Sequence, residues 1–273
     1  MARRQRLDAE LVRRGLARSR EQAHELVTAG RVKVGGSTAG KPATQVDLSA
    51  AIVVEAGDVG EEYVSRGAHK LIGALDAFAV EVPGRRCLDA GASTGGFTDV
   101  LLRRGAAHVV AVDVGYGQIA WSLRQDERVS VLERTNVRTL EPAQVAAPDG
   151  ALPSLVVADL SFISLTLVLP ALVRSVAPEA EHVLMVKPQF EVGRDALGAG
   201  GVVRSAELRA AAVRTVATAA QGCGLGVRGV AASPLPGPSG NVEYFLHLGA
   251  GAPPLVEDDL DRAVAEGPQA GLA

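Results

Sequence analysis

The chain has 273 residues, 47% of them apolar and 22% charged, which is enough to bury a full core and to build one large and one small domain. Cys87 and Cys223 lack a C-x-x-C partner, and Asp159 and Pro170 interrupt the most apolar segment. We therefore expect no disulfide framework, no metal site and no membrane span, but a cytoplasmic protein. The net charge of −3 divides into +6 for residues 1–41 and −9 for the remainder, which favours a polyanionic partner at the amino-terminal end.

The first fifty residues have the pattern of a small α+β domain. Leu7 and Leu11 mark a short helix, and the capping box Ser19-Arg-Glu-Gln22 begins a second helix that ends at Gly30. Residues 31–34 alternate as a strand does, and two glycines then turn the chain. Arginines outside the apolar positions leave a basic surface for recognition.

This segment resembles the S-four-type RNA-binding module first described in a ribosomal small-subunit protein. The resemblance rests on residues 6–23 together with the apolar and glycine positions that follow, up to residue 36. It implies that structured RNA is gripped by shape and through its phosphates. A charged helix face exposed to solvent is the alternative. The predicted RNA contacts are Arg4, Arg6, Arg14, Arg18, Arg20, Lys41 and Arg66.

A glycine-rich loop follows the first strand of the second domain. Residues 86–90 predict a buried strand and residues 97–104 a helix, with a turn between them in which backbone approaches a ligand. The order G-x-x-x-G-G lacks the lysine of a phosphate-binding loop and differs from the G-x-G-x-x-G of dinucleotide sites. It favours S-adenosylmethionine and leaves a dinucleotide open. The predicted cofactor contacts here are Asp89, Gly91, Ala92, Ser93, Thr94, Gly95, Gly96 and Phe97.

The rest of the second domain alternates strands and helices, which indicates a parallel sheet covered on both faces. Strands are predicted at 109–113, 129–132, 155–159, 182–187, 227–231 and 242–248. Helices are predicted at 163–176, with Pro170 as the place for a bend, and at 205–220, and a mobile loop over the site at 189–204. Ligands bind at the carboxyl ends of such strands. Asp113 is there placed to meet ribose hydroxyls, and Asn136 to meet an adenine edge.

Four charged residues are not explained by the fold alone: Lys70, Asp159, Lys187 and Glu243. Two lysines at the active edge, each able to find a carboxylate, form a network suited to a ribose hydroxyl. A neutral lysine accepts the hydroxyl proton, and a charged one stabilises the developing alkoxide. In-line displacement at a sulfonium then needs positioning but no metal. Charged strand ends are common, so spacing alone gives this network modest support.

Five segments together resemble the TlyA family: residues 66–70, 88–97, 158–163, 184–190 and 233–244. The resemblance extends to about residue 248. It implies an α/β Rossmann-like class I methyltransferase sheet, related to the heat-shock methyltransferase FtsJ, behind the RNA-binding head. It further implies S-adenosylmethionine as methyl donor and cytidine 2′-hydroxyls of ribosomal RNA in both subunits as targets. The catalytic tetrad of that wider class falls on Lys70, Asp159, Lys187 and Glu243.

The resemblance also implies the boundaries of two domains and a linker between them. We expect the RNA-binding domain at 1–59, a linker at 60–63 and the methyltransferase domain at 64–273. The linker contains Glu61-Glu-Tyr63, where relatives have a basic residue and a tryptophan. It is therefore open whether this linker couples RNA binding to cofactor binding. Phe162 is a candidate to pack on the cofactor or, equally, in the core.

Three hypotheses for the function of this chain follow from these features. The leading hypothesis is an RNA 2′-O-methyltransferase that acts on ribosomal RNA within ribosomal subunits, with no stable membrane association. The second is a non-catalytic RNA-binding or ribosome-assembly factor, which would tolerate loss of Asp159 and Lys187. The third is a membrane-active haemolysin, a label attached to the family, although no apolar span supports it.

Overall fold

A computed structural model describes residues 4–17, 20–28, 30–54, 63–193, 197–237 and 240–267. The chain divides into two compact units, Met1–Glu62 and Tyr63–Ala273, each of which is described by itself. The predicted linker spans this division, and its residues before Tyr63 lie outside the described part.

The amino-terminal unit packs two helices on short strands. Its elements are β1 (Arg4–Arg6), α1 (Leu7–Arg13), α2 (Arg20–Thr28), β2 (Val32–Val34), β3 (Ser37–Thr38), β4 (Gln45–Asp47) and β5 (Ile52–Val54). Strand β1 pairs with β4, and β2 pairs with β3 and β5, all antiparallel. Leu7, Leu11, Ala23 and Val27 fill the core between the helices and the strands. The sequence predicted β2, which a glycine turn follows, but not β1, β4 and β5. The predicted capping residue Ser19 lies outside the described residues.

The second unit alternates strands and helices along most of its length. Its elements are α3 (Ala68–Ala77), β6 (Arg86–Ala90), α4 (Gly96–Arg103), β7 (His108–Val112), α5 (Trp121–Arg124), β8 (Val129–Leu132), α6 (Pro142–Val145), β9 (Leu155–Ala158), α7 (Leu169–Arg174), β10 (Glu181–Val186), α8 (Pro188–Glu191), α9 (Ala206–Gly222), β11 (Leu225–Ala232), β12 (Tyr244–Ala250) and α10 (Glu257–Glu266).

Seven strands of the described residues form one sheet in the order β11-β12-β10-β9-β6-β7-β8. Strands β6 to β10 are parallel, as predicted, but β12 runs antiparallel to both of its neighbours. The physical reason is the short connection from β11 to β12, since a parallel neighbour requires a crossover of a dozen residues or more. Strand β12 thereby inserts between β11 and β10 and begins at the edge where the parallel strands end.

Each face of this sheet has its own core. Leu88, Ala90 and Val156 pack towards α7 and α9, whereas Leu155 and Val157 pack towards α3 and α4. Neighbouring side chains of a strand point to opposite faces. Alternation from these core positions puts four polar residues on the α3 and α4 face: Asp89, Asp159, Lys187 and Glu243.

Two predicted segments differ in the structure. The helix predicted at 163–176 is a 3₁₀ turn at Leu165–Leu167 followed by α7, because Pro170 stands at the start of α7, where its missing N–H costs nothing. The loop predicted at 189–204 contains α8, which begins with Pro188, and a 3₁₀ turn at Ala199–Gly201. Its mobility stays a prediction.

Candidate active site

The glycine loop joins β6 to α4 at the carboxyl edge of the sheet. A Cβ at Gly91 would lie 2.6 Å from the carbonyl oxygen of Asp159, and one at Gly96 would lie 2.2 Å from Ser65 Oγ. Gly95 has a φ of 98° and lies against the side chain of Leu123. The sequence predicts that these glycines allow close approach of a ligand, and the structure shows that neighbouring protein atoms also leave no room for a Cβ there. The glycines therefore permit the tight packing that shapes the loop.

Asp113 connects the glycine loop to the next loop. Its carboxylate accepts hydrogen bonds from the backbone N–H of Ser93 at 2.8 Å and of Gly115 at 2.6 Å. The N–H groups of Gly91 and Ala92 both donate to the carbonyl of Val112, at the end of β7. These hydrogen bonds hold the two loops side by side, at the position where the sequence predicts that the ribose of the cofactor binds.

Asp89 is completely buried beneath the loop. Thr98 Oγ1 donates to its Oδ2 at 2.7 Å, and its Oδ1 has no hydrogen-bond partner among the described residues. Burial raises the pKa of Asp89 from 3.8 to about 7; the Thr98 hydrogen bond opposes that rise, and the nearby Asp159 charge adds to it. Asp89 is thus a buried acid with one unsatisfied oxygen, which suits a cationic ligand group.

Lys187 follows β10 and pairs with Asp159, which follows β9. Lys187 Nζ lies 2.5 Å from Asp159 Oδ1 and donates to Ser161 Oγ at 3.0 Å. The side chain of Lys187 is only 8% exposed, whereas that of Asp159 is 24% exposed. The ammonium is therefore held by two partners at the mouth of the site. The sequence analysis did not single out Ser161, although it lies within the motif of residues 158–163.

Lys70 and Glu243 form a second pair, 173 residues apart in sequence. Lys70 Nζ donates to Glu243 Oε2 at 2.6 Å, and the Glu243 side chain is fully buried. Lys70 is the third residue of α3, and Glu243 directly precedes β12. A buried carboxylate with one cationic partner places that cation firmly, because leaving the charge alone in the interior would be costly.

Sheet register brings the two pairs to one place. Val186 is opposite Tyr244 in the β10 and β12 ladder, so Lys187 and Glu243 are the next positions on the two strands. Ala90 and Ala158 are paired, so Asp159 stands beside the start of the glycine loop. The four residues predicted from sequence as a tetrad thus share one edge and one face of the sheet with the loop.

Four predicted cofactor residues have distinct surroundings in the structure. Phe97 is 4% exposed and packs against Phe245 with ring centroids 6.3 Å apart, so its side chain belongs to the core. Asn136 Oδ1 accepts from the N–H of Arg138 at 3.0 Å and caps a 3₁₀ turn. Phe162 has a φ of 65° and is 91% exposed, which contradicts core packing for it. Thr94 accepts the N–H of Ala120 through its carbonyl.

The basic residues of the amino-terminal unit fall into two groups. Asp8 accepts hydrogen bonds from Arg6 at 2.7 Å and from Arg20 at 3.3 Å, and the Arg6 bond in particular holds the pKa of Asp8 well below its usual range. Arg6 and Arg20 remain 47% and 61% exposed, and Arg4 and Lys41 are also exposed. A shared carboxylate thus holds two exposed guanidinium groups close together.

Arg14 differs from these. Its Nε bonds the buried Glu10 at 2.6 Å, and its two terminal nitrogens donate to the carbonyls of Ala50 and Leu48 at 2.8 and 2.7 Å. These contacts tie α1 to the end of the unit and argue against the predicted RNA contact. Arg18 lies outside the described residues, and Arg66, in the second unit, is exposed.

The described end of the linker is anchored on α4. The N–H of Val64 donates to Asp99 Oδ2 at 2.9 Å, and the guanidinium of Arg103 lies 4.3 Å from the centre of the Tyr63 ring. Arg103 also pairs with Asp99 at 2.8 Å. Residues 63–65 therefore contact the helix whose first turn completes the glycine loop.

Comparisons with known proteins agree on the two parts of the chain. Residues 63–250 match the model of the FtsJ-like methyltransferases, and residues 5–52 match that of the S4 domain. The 16S/23S rRNA (cytidine-2′-O)-methyltransferase TlyA of Mycobacterium tuberculosis is 61% identical over 98% of this chain and 100% of its own. YqxC of Bacillus subtilis is 40% identical over 97% and 94% of the two chains. The solved structure of a hemolysin-like protein from Streptococcus thermophilus is 39% identical, covers 97% of this chain and 96% of its own, and has a TM-score of 0.77.

The mostly parallel sheet, its glycine loop and the matched family model define a methyltransferase of the FtsJ-like class. Within that class the chain belongs to the TlyA family, since its likeness to that family's members runs through both units. The predicted family, fold class and enzymatic activity are confirmed, and the comparisons favour an enzyme over a binding or assembly factor. Within the described residues, no helix has the length and apolarity to cross a bilayer.

Proposed function

We propose that this enzyme transfers the methyl group of S-adenosylmethionine to the 2′-hydroxyl of cytidines in 16S and 23S ribosomal RNA. The observation that carries the proposal is the pair of lysine–carboxylate contacts beside the glycine loop, Lys187 with Asp159 and Lys70 with Glu243. The relative from Mycobacterium tuberculosis is named for this reaction. Ribosomal RNA within the subunits is the proposed partner, and the cytoplasm the proposed location.

The residues around the loop fit S-adenosylmethionine. The unsatisfied Oδ1 of Asp89 suits a positively charged group of the donor, and Asp113, fixed by two backbone N–H groups, suits ribose hydroxyls. Asn136 has its amide nitrogen left for an adenine edge once its oxygen caps the turn. When bound, the donor supplies an electrophilic methyl group on a sulfonium. The remaining loop residues would contact the donor through their backbone, and Phe162 offers an exposed ring beside the site.

The tetrad activates the attacking ribose oxygen and stabilises the negative charge that develops on it. Lys187, in its neutral form, accepts the proton of the ribose hydroxyl, and in its charged form it stabilises the negative charge on that oxygen. Both tasks require a fixed nitrogen, which the contacts to Asp159 and Ser161 provide. Lys70, held by buried Glu243, contributes a second positive charge at the same edge. Positioning of this kind accounts for several orders of magnitude in rate.

The amino-terminal unit supplies the RNA grip. Arg6 and Arg20, gathered by Asp8, form a paired guanidinium group that suits a phosphate, and exposed Arg4 and Lys41 extend the positive surface. We propose Arg66 as a further contact on the second unit. Binding through phosphates should weaken steeply as salt is raised.

Methyl transfer to isolated ribosomal subunits tests the proposal. Purified enzyme, tritiated donor and subunits that lack the modification should yield 2′-O-methylcytidine after complete digestion to nucleosides. Lys187→Ala should lower the rate by about 100-fold to 1,000-fold, the range found when one charge-stabilising donor is removed. The cofactor dissociation constant should stay within a few-fold, because the glycine loop is unchanged.

Arg262→Ala is the matched control, since it removes an exposed cation of α10. It should leave the rate unaltered. Methylation of a base rather than a ribose, or a wild-type rate in Lys187→Ala, would overturn the proposal.

A further inference from the structure

The segment from Ser233 to Gly237, here called the cover segment, lies against Glu243 of the tetrad and against α3. The N–H of Ser233 donates to the carbonyl of Glu243 at 2.8 Å, and the N–H of Gly237 donates to the carbonyl of Asn241 at 2.8 Å. Asn241 is buried, and its side chain bonds the backbone of Val203 and of Gly201. The cover segment is therefore anchored at both ends.

Gly237 lies directly on the carboxylate of Glu243. A Cβ at this buried glycine would lie 2.2 Å from Glu243 Oε1, 2.6 Å from Cδ and 3.2 Å from Oε2. Gly237 does not have a positive φ, so close approach, and not backbone conformation, is what requires a glycine here.

Glu243 has no room to move away from such a Cβ. Its side chain is fully buried, and Oε2 is engaged with Lys70 at 2.6 Å. The other oxygen, Oε1, lacks a hydrogen-bond partner among the described residues and faces Gly237. The backbone of Gly237 thus excludes water from Oε1 and leaves Lys70 as the cation on which the carboxylate acts.

The cover segment also contacts the helix that carries Lys70. A Cβ at Gly73 would lie 2.7 Å from Pro234 Cγ. Gly73 is three residues after Lys70 in α3, so both lie on the same side of the helix. One segment therefore packs on Glu243 and on α3, about one helical turn from Lys70.

We propose that Gly237 is a positioning residue for methyl transfer: it seats the Glu243 carboxylate against Lys70, and Gly73 lets the same segment close on α3. The proposal rests on the proposed function for its kinetic arm. Any side chain at Gly237 displaces Glu243, and Lys70 moves with it. The cofactor loop on β6 and α4 is not part of this contact, so cofactor binding should persist.

The kinetic test is Gly237→Ala with a shorter acid as rescue. Gly237→Ala should lower kcat by about 100-fold, the loss expected for a displacement of about 1 Å, with KM for RNA and the cofactor dissociation constant within a few-fold of wild type. Glu243→Asp alone should lower kcat less than Gly237→Ala does, because the shorter side chain lengthens the contact with Lys70 without displacing the carboxylate sideways. In the double variant the shorter acid leaves space for the new methyl group, so kcat should be at least 10-fold above that of Gly237→Ala. A double variant no faster than Gly237→Ala overturns the proposal.

Gly222→Ala is the matched control, since a Cβ at this glycine of α9 meets nothing within 4 Å; its kcat should equal that of wild type. Circular dichroism and cofactor calorimetry check that each variant is folded. If Gly237→Ala does not fold, Gly73→Ala with and without Pro234→Ala tests the other contact. Removing the proline ring should restore kcat there, and absence of that rescue overturns the proposal.

A second readout needs no methyl transfer. The chain has four lysines, so a protein labelled with ¹³C at the lysine ε-carbons gives four signals, and Lys70→Arg identifies that of Lys70. At fixed pH the Lys70 signal should shift in Gly237→Ala, return towards wild type with Glu243→Asp added, and stay in place in Gly222→Ala. An unmoved Lys70 signal refutes the positioning role. A responsive signal in an enzyme that methylates no ribosomal RNA would instead show that the proposed function alone has failed.

Discussion

Replacement of Asp89 by asparagine should make the enzyme more stable at neutral pH while weakening its hold on the methyl donor. Burial raises the pKa of Asp89 from 3.8 to about 7. An acid whose folded pKa is raised keeps its proton in the native state while the unfolded chain loses it. The contribution of Asp89 to the free energy of unfolding is therefore fully present below pH 4 and is lost as the pH rises to 7. Asparagine keeps the shape and the Thr98 hydrogen bond and carries no charge, so it escapes this loss.

Because the pKa of Asp89 rises from 3.8 to about 7, and a tenfold change in proton affinity is worth about 1.4 kcal/mol, the buried acid lowers the free energy of unfolding by about 4 kcal/mol above pH 7. Between pH 5 and pH 8 the free energy of unfolding of Asp89→Asn should gain about 3 kcal/mol on wild type. In a unit of this size that corresponds to about 6–12 °C in Tm. The ionised carboxylate suits a cationic donor, so Asp89→Asn should also bind S-adenosylmethionine more weakly.

Denaturant unfolding followed by tryptophan fluorescence measures this effect. Trp121 is the sole tryptophan of the chain and lies in α5, so the signal reports on the second unit. Asp126→Asn is the control, because the Arg128 hydrogen bond lowers the pKa of this exposed acid; its difference from wild type should not change between pH 5 and pH 8. If the difference in free energy of unfolding between Asp89→Asn and wild type does not change with pH, the raised pKa of Asp89 is refuted. If the variant binds S-adenosylmethionine as tightly as wild type, the contact between Asp89 and the donor is refuted.

Two further predictions concern buried positions of the second unit. Gly96→Ala should weaken donor binding at least 10-fold by calorimetry, because its Cβ would meet Ser65 Oγ at 2.2 Å; adding Ser65→Gly should restore affinity, and no recovery would contradict the packing explanation. Burial lowers the pKa of His182 to about 4, so protonation of the unfolded chain should destabilise wild type as pH falls from 6.5 to 4. His182→Leu should therefore gain stability over wild type in that range, measured by urea unfolding, and a constant difference would argue against a buried neutral histidine.

Local sequence patterns predicted much of the second unit. Strands of nearly continuous apolar residues and a loop of closely spaced glycines are short-range features, and strand β6 has the bounds that the sequence predicted for it. The helix predicted at 163–176, with a bend at Pro170, is a 3₁₀ turn followed by α7 in the structure, because Pro170 stands in the first turn of α7. Phe97 was assigned to the cofactor from its place in the motif, but the first turn of α4 points its ring into the core.

Arg14 shows a similar limit in the first unit. Composition marks it as one more cation of a basic surface. Its three hydrogen-bonding partners come from positions up to 36 residues away, and folding alone brings them within reach.

The sequence by itself determined that acidic and basic residues stand at strand ends, because parallel strands that alternate with helices must end at a common edge. Only the tertiary structure decided how those residues pair. Strand β12 enters the sheet antiparallel, so Glu243 directly precedes that strand and lies beside Lys187. Helix α3 lies on the same face and brings Lys70 to Glu243. The fit of Gly237 on Glu243 is decided in the same way. Contacts between residues so far apart in the chain depend on strand order and direction, which no local pattern specifies.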